Sequence, residues 1–302
     1  MTDRIKRPVF IVGHPRSGTL LMSRIIGGHN QHFLITEHKN KTRYVPEEQF
    51  DRRDNELWYE FLYPAEWRRD EKKSKIEPPI SAYKEKGSDM LRSLYLESAH
   101  GKRLIIKNPS NIFRIPIIKK MFPDALFIFC ARNPWHTVQS VITKDKDSFF
   151  LKTKEIFEFT SDRFLRAFVS WREACRFYLN ERDENWLTIR HEDVVSNPKE
   201  TIGKIFDFLG MERNDYYDVA IQKPMTRNKN YYYLKKLFRK SKHQKEITDV
   251  ITPFCELFSY DSSVESLEGG ALGYYVEKYK RKLLSFCKRM KRKLKRIQKI
   301  FR

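Results

Sequence analysis

The sequence predicts an α/β fold, a P-loop-containing parallel β-sheet flanked by helices on both faces, with a basic amphipathic C-terminal helix after it. Three observations predict it. Short strand-like runs rich in apolar residues recur at positions 9–12, 103–107, 125–131 and 186–190, and each leads through a polar turn toward helical periodicity, the alternation that builds parallel sheets. The turn after the first run holds two glycines, Gly13 and Gly18, just before Leu21, Met22, Ile25 and Ile26 at helical spacing. Finally, Val276, Tyr279, Leu283, Cys287, Met290, Leu294, Ile297 and Phe301 recur every three or four residues among lysines and arginines, the pattern of a cationic amphipathic helix.

The first element is Val9 to Val12, an apolar strand entering Gly13-His14-Pro15-Arg16-Ser17-Gly18-Thr19-Leu20. A turn between a strand's carboxyl end and a helix N-terminus offers unpaired backbone N–H groups and the positive end of the helix dipole to an anion. Arg16, Ser17 and Thr19 add donors. The glycine spacing is that of a nucleotide-triphosphate loop, but Thr19 and Leu20 stand where that pattern wants Lys and then Ser or Thr, so two parts of a magnesium-triphosphate site are missing.

Phe33 to Ile35 makes a second strand running into Thr36-Glu37-His38. A carboxylate at a strand end stands where open α/β sheets bind ligands, while a solvated surface Glu is the plain alternative. From Lys39 to His100 the chain is charged and irregular, with helices expected at Glu56–Phe61 and Lys84–Ala99. Trp58, Tyr59, Phe61, Tyr63, Trp67 and Tyr83 form either a satellite core or a sugar-binding platform. Arg103 to Lys107 is the next strand, delivering Lys107 to its end before Asn108-Pro109-Ser110 and a helix kinked at Pro116. Ala125 to Ala131 is the clearest strand, and it runs into Arg132-Asn133-Pro134 and a helix carrying Ser140. Arg132 and Ser140 are placed to take a second phosphate, the arginine in a bidentate fashion. A long helix follows at Phe157–Leu179, then a strand at Trp186–Arg190, a turn from His191 to Pro198, and a helix at Thr201–Leu209 stopped by Gly210. Tyr231–Phe258 reads as irregular helix. Residues 1–268 are expected to form one domain, and Gly269-Gly270 to hinge the tail at 269–302.

A chain of 302 residues with 40% apolar and 14% aromatic content is globular rather than disordered. Residues 276–302 carry thirteen Lys or Arg against the single acid Glu277, so more than half of the net charge of +21 sits there. The excess suits polyanionic ligands in general, nucleic acid included. Cys130, Cys175, Cys255 and Cys287 have neither finger-like spacing nor the density of a disulfide framework and are expected to be reduced thiols. No run reaches the roughly 20 apolar residues of a membrane span.

Three ordered blocks together resemble the superfamily of sulfotransferases that use 3′-phosphoadenosine 5′-phosphosulfate (PAPS). Pro15-Arg16-Ser17-Gly18-Thr19 resembles the phosphosulfate loop. Phe122-Pro123-Asp124-Ala125 through Arg132 to Ser140 resembles the 3′-phosphate motif, and Ile189 to Leu209 resembles the segment near the adenine. The layout is closer to the tyrosylprotein and carbohydrate branches than to the cytosolic small-molecule group. By that resemblance Glu37 falls on a catalytic Glu and Lys107 on a catalytic Lys. Nucleotide contacts are implied for Arg16, Ser17, Gly18, Thr19, Leu20, Arg132, Ser140 and His191. Two positions depart from the pattern: Leu20 replaces a second hydroxyl, and His191 stands where a Tyr often meets the adenine.

The resemblance implies an enzyme that moves the PAPS sulfuryl group to an acceptor hydroxyl without a metal, with Glu37 as base, Arg16 and Lys107 facing the leaving group, and His38 as the alternative base. A glycan or glycolipid acceptor is expected first, on the strength of the tail and the aromatics. A tyrosyl peptide or small alcohol comes second. The tail is expected on an anionic membrane surface, with packing on the enzyme body or a nucleic-acid contact as alternatives; no nucleic-acid partner is expected. A cytoplasmic location, peripheral on the inner face of the membrane, fits a chain with no apolar leader or anchor. A divergent nucleotide kinase and a non-catalytic basic binder are the rival readings.

Overall fold

The computed structural model describes residues 7–37, 45, 49–51, 53–63, 80–84, 87–142, 153–212, 218 and 231–268. Six strands form one sheet: β1 Val9–Val12, β2 His32–Thr36, β3 Phe50–Asp51, β4 Arg103–Lys107, β5 Leu126–Ala131 and β6 Trp186–Arg190. Their order is β3-β2-β4-β1-β5-β6, and every neighbouring pair is parallel. A parallel sheet buries both faces, which is why its central strands read as nearly continuous apolar runs rather than as alternation.

The two faces are filled differently. Val9, Ile11, Ile105, Ile128 and Ile189 pack with Met22, Ile25 and Ile26 of the Thr19–Gly27 helix and with Ile202, Ile205, Phe206 and Leu209 of the Pro198–Leu209 helix. On the opposite face aromatic rings do the filling. Phe10 stacks on Phe127 at 5.7 Å, and Phe129 stacks on Tyr178 of the Arg163–Glu181 helix at 4.2 Å. Period-2 side-chain alternation along each strand puts these two sets on opposite sides.

Several expected bounds shift, each for a local reason. The helix expected over Phe157–Leu179 is two helices, Lys154–Phe159 and Arg163–Glu181, because the Asp162 carboxylate accepts from Leu165 N at 2.8 Å and starts a new helix. Pro116 does not kink a helix. It lies in the first turn of Ile115–Met121, where its missing N–H costs nothing. A 3₁₀ turn at Pro109–Phe113 precedes that helix, capped by Asn108, whose side chain accepts from Ser110 N. His191–Ser196 is helical rather than a turn. The helix expected at Lys84–Ala99 spans Ser88–Ser98, the one expected at Glu56–Phe61 spans Asp54–Phe61, and Tyr231–Phe258 divides into helices at Tyr232–Lys240 and Gln244–Leu257. The two-residue strand β3 was not anticipated.

Of the described aromatics between β3 and β4, Trp58, Tyr63 and Tyr83 are core, and Tyr59 and Phe61 are half-buried. Trp58, Tyr63 and Tyr83 are buried and meet edge to face, Trp58–Tyr83 at 6.0 Å and Tyr63–Tyr83 at 5.6 Å. The Arg114 guanidinium lies 4.5 Å from the Trp58 ring centroid, a packing arrangement that leaves those rings no open face for a sugar. Cys130, Cys175 and Cys255 are buried free thiols.

The described residues divide into two compact units, the larger holding those up to 226 and 245–262, the smaller 231–244 and 263–268. Within the smaller unit Arg239 grips Glu265 through Nη2 at 2.8 and 2.9 Å. The tail at 269–302, with its expected hinge and amphipathic helix, lies outside the described residues, as do His38, Trp67 and Cys287. No described helix is long and apolar enough to cross a membrane. Among the described residues no cluster of metal-ligating side chains occurs.

Candidate active site

The turn after β1 closes because two of its residues are glycines. Gly13 has φ +138°, and a Cβ there would stand 2.6 Å from the Cys130 carbonyl oxygen of β5; Gly18 has φ +110°, and its Cβ would stand 2.7 Å from His191 Nδ1. Between them Arg16 itself holds φ +78°, a left-handed conformation that a side-chain-bearing residue adopts at some cost and keeps only when its surroundings enforce it. Arg132 supplies part of that enforcement, since its Nη1 donates to the Arg16 carbonyl at 2.8 Å. The Arg16 side chain turns the other way, and its Nε donates to Ser140 Oγ at 3.0 Å.

These two bonds join the phosphate-loop turn to the strand end and helix of the second block, more than a hundred residues away in sequence. Arg16, Arg132 and Ser140 therefore stand together in one cluster. Burial, and then the neighbouring Arg132 charge, lower the pKa of the Arg16 guanidinium from its ordinary value. Like charges held this close favour an anion between them. Ser17 Oγ is buried and makes no hydrogen bond among the described residues, an orphaned donor facing the same turn. Thr19, buried, and Leu20, half-buried, open the helix, so their backbone stands at its N-terminal end. Two guanidiniums, an orphaned hydroxyl and a helix N-terminus are a donor set that fits phosphate-like anions.

Glu37 follows directly on β2, and Lys107 ends β4. Parallel pairing puts Thr36 opposite Lys107 and Ile11 of β1 opposite Lys107 on the other side, which places the pair beside the loop at the carboxyl ends of adjacent strands. Lys107 Nζ donates to Glu37 Oε1, and the two side chains are only 7% and 9% exposed. Glu37 Oε2 is buried and makes no hydrogen bond among the described residues. A carboxylate with one oxygen held by an ammonium keeps lone pairs on the other with which to accept a proton.

The sulfotransferase family profile matches residues 8–215. The chain belongs to the sulfotransferase family. It is 27% identical over 228 residues to a protein-tyrosine sulfotransferase of Drosophila melanogaster, covering 72% of this chain and 41% of that protein. It is 23% identical over 216 residues to protein-tyrosine sulfotransferase A of Caenorhabditis elegans, covering 68% and 50%. The chain thus spans about half the length of the curated relatives it matches. In fold it is similar to a sulfotransferase from Mycobacterium avium, with a TM-score of 0.57 at 15% identity, covering 88% of this chain and 79% of that one.

In this sulfotransferase-family chain His191 packs on the loop at Gly18, lining a small hollow with Ser17, Met22, Cys130 and Ile189. Three neighbours of the site were not singled out from sequence. Glu192 accepts from Asn133 N at 3.2 Å, meets His136 Nδ1 at 3.3 Å and accepts from Tyr260 OH at 3.0 Å, bracing the turn that carries Arg132. Burial pushes its pKa up, but the bonds from His136, its own backbone N–H and Asn133, with the Arg132 charge, outweigh burial and hold it at about 2. The triplet His191-Glu192-Asp193 was the available signal. Asn108, next to Lys107, and Asp54 are the others; Asp54 carries no signal in the sequence.

His14 lies inside the loop. Its Nδ1 meets the Pro15 carbonyl at 2.7 Å, which only an N–H can satisfy, so Nε2 accepts from Ser170 Oγ at 2.9 Å. Burial, opposed by the Pro15 bond, lowers its pKa from 6.5 to about 4. Below pH 6.5 the unfolded chain takes a proton that folded His14 refuses until about pH 4, so stability falls as pH falls through that window. Urea melts should show the wild type losing about 3 kcal/mol more than His14→Gln across it.

Proposed function

We propose that this chain transfers the sulfuryl group of PAPS to an acceptor hydroxyl. The observation that carries the reading is the double link through Arg16, whose carbonyl is held by Arg132 at 2.8 Å and whose guanidinium holds Ser140 at 3.0 Å. One nucleotide with an anion at each end is the ligand such a cleft suits. Ser17 and the backbone amides of Gly18, Thr19 and Leu20 would hold the 5′-phosphosulfate, Arg132 and Ser140 the 3′-phosphate, and His191 would border the base.

PAPS supplies an activated sulfuryl group whose bond to the bridging phosphate oxygen breaks as the acceptor oxygen bonds to sulfur. Glu37 takes the acceptor's hydroxyl proton on Oε2. Lys107 and Arg16 meet the negative charge left on the bridging oxygen, which lowers the barrier because the charge is greater after transfer than before. Lys107 also holds Glu37 Oε1, so one cation orients the base and faces the leaving group. The cations that the reaction needs come from the protein, and no metal is assigned a part.

For the acceptor, a hydroxyl on a glycan or glycolipid is the first reading. With Trp58, Tyr63 and Tyr83 buried as core, it rests on the cationic amphipathic pattern of residues 276–302, read as a contact with an anionic membrane surface. A tyrosyl peptide is the second, favoured by the similarity to the fly and nematode proteins.

Thermal shift tests the nucleotide. Saturating adenosine 3′,5′-bisphosphate in EDTA should raise the melting temperature by several degrees, since ligand at 100 times its Kd adds about 2.7 kcal/mol. ATP with magnesium should not. The reverse order would favour the kinase reading and overturn this one.

A further inference from the structure

Behind the Glu37–Lys107 pair lies a buried chain of polar side chains that the transfer chemistry does not use. Asp54 is fully buried at the start of the Asp54–Phe61 helix. Its Oδ1 accepts from Tyr95 OH at 2.5 Å and its Oδ2 from Asn108 Nδ2 at 2.5 Å, with Arg114 Nη1 at 4.0 Å. Asn108 Nδ2 also donates to Asn55 Oδ1 at 2.8 Å, and Asn108 Oδ1 accepts from Ser110 N at 3.0 Å. Every polar atom of the Asn108 amide is therefore committed, which fixes its orientation. That in turn fixes Asn55, whose Oδ1 must face Asn108 and whose Nδ2 then points at the Glu37 carbonyl, 3.4 Å away.

Glu37 is the first residue past β2 and has left the ladder that holds Thr36 opposite Lys107. The pairing ends at Thr36, and beyond it the Asn55 amide donates to the Glu37 carbonyl at 3.4 Å. We infer that Asn55, oriented by Asn108 and through it by Asp54, is a positioning residue that sets where the Glu37 carboxylate stands. The inference rests on the reading of Glu37 as the base. A buried carboxylate and two committed amides are an expensive way merely to fasten a helix, because apolar side chains of similar volume would hold it as well. What a polar chain adds is direction, and a base misplaced by an ångström loses much of its rate.

The test uses the full chain, PAPS, and a tyrosine peptide and an alkyl β-glucoside as acceptors, with release of adenosine 3′,5′-bisphosphate as the readout. Asn55→Ala and Asn55→Leu each remove both bonds, and Leu keeps nearly the volume of the side chain without adding a charge. Both should lower kcat about tenfold or more with the KM for PAPS and the Kd for the bisphosphate unchanged. On a Glu37→Gln background Asn55→Ala should cost nothing further, since a residue acting through Glu37 has nothing left to act on. If Asn55→Ala turns over within twofold of wild type while Glu37→Gln is inactive, the positioning role is wrong and the base stands. If Glu37→Gln is as active as wild type, or the wild type transfers to neither acceptor, the base reading falls and this inference with it. Should Asn55→Ala fail to fold, Asn55→Leu decides by the same criteria.

Discussion

Glu37→Gln should slow sulfuryl transfer by roughly 10²–10⁴-fold, the usual contribution of a positioned general base, while the Kd for adenosine 3′,5′-bisphosphate stays within a fewfold of wild type. On the proposed mechanism the loss falls on transfer, because Glu37 would meet the acceptor's proton and other residues would hold the nucleotide. Single-turnover release from radiolabelled PAPS measures the first quantity and calorimetry the second. Gln is the informative replacement, since it keeps an oxygen for Lys107 to bond. Lys107→Ala should also abolish turnover with binding retained, but it strands a carboxylate that is 9% exposed and should cost about 3–5 kcal/mol of stability. Lys107→Met combined with Glu37→Gln removes both charges together and should fold well yet remain inactive. Near-normal turnover in Glu37→Gln would move the base elsewhere, with His38 the nearest candidate in sequence.

Arg132→Ala should weaken bisphosphate binding about 100-fold, equivalent to about 3 kcal/mol, in a titration at fixed ionic strength. Two losses add. One is the cation offered to the 3′-phosphate. The other is the bond at 2.8 Å that holds the Arg16 carbonyl while Arg16 sits at φ +78°; without it the loop relaxes and Arg16 leaves Ser140. Arg132→Lys should not restore binding, because one ammonium cannot serve a backbone carbonyl and a phosphate with the forked geometry of a guanidinium. If Arg132→Ala bound the bisphosphate as tightly as wild type, the two ends of the cleft would not share one ligand.

Much of the scaffold is legible locally. β1 and β4 fall where their side-chain runs predict, because a strand buried on both faces must be apolar through its middle and its ends are marked by turn residues; β6, half-buried at the sheet edge, also falls where predicted. The Gly210 stop is equally direct, with φ +64° at the helix end. The elements that were misread are those whose signal depends on a neighbour. Two-residue β3 has no pattern of its own and exists because Leu34 and Ile35 offer it an edge. The break at Asp162 overrides a continuous apolar stripe through one hydrogen bond to Leu165 N. The aromatics near Trp58 read more readily as core than as platform, and the burial of Trp58, Tyr63 and Tyr83 under Arg114 and the surrounding rings decides it for those three.

The site divides the same way. Arg16, Ser17, Glu37, Lys107 and Arg132 could be singled out from a turn and three strand ends, since ligands of parallel sheets meet the carboxyl ends of the strands; the roles expected of Glu37 and Lys107 came from the family resemblance. The sequence by itself determined the glycine-bracketed turn after β1, the strand ends that carry charge, and the basic tail. Only the tertiary structure decided that Arg16 spans from Arg132 to Ser140, that Glu37 keeps one oxygen open while Lys107 holds the other, and that Asp54 stands behind them. Periodicity reports which way a residue faces along its own element. Contacts made 70 or 124 positions apart are fixed by strand order and register, and those are set by how the whole core closes.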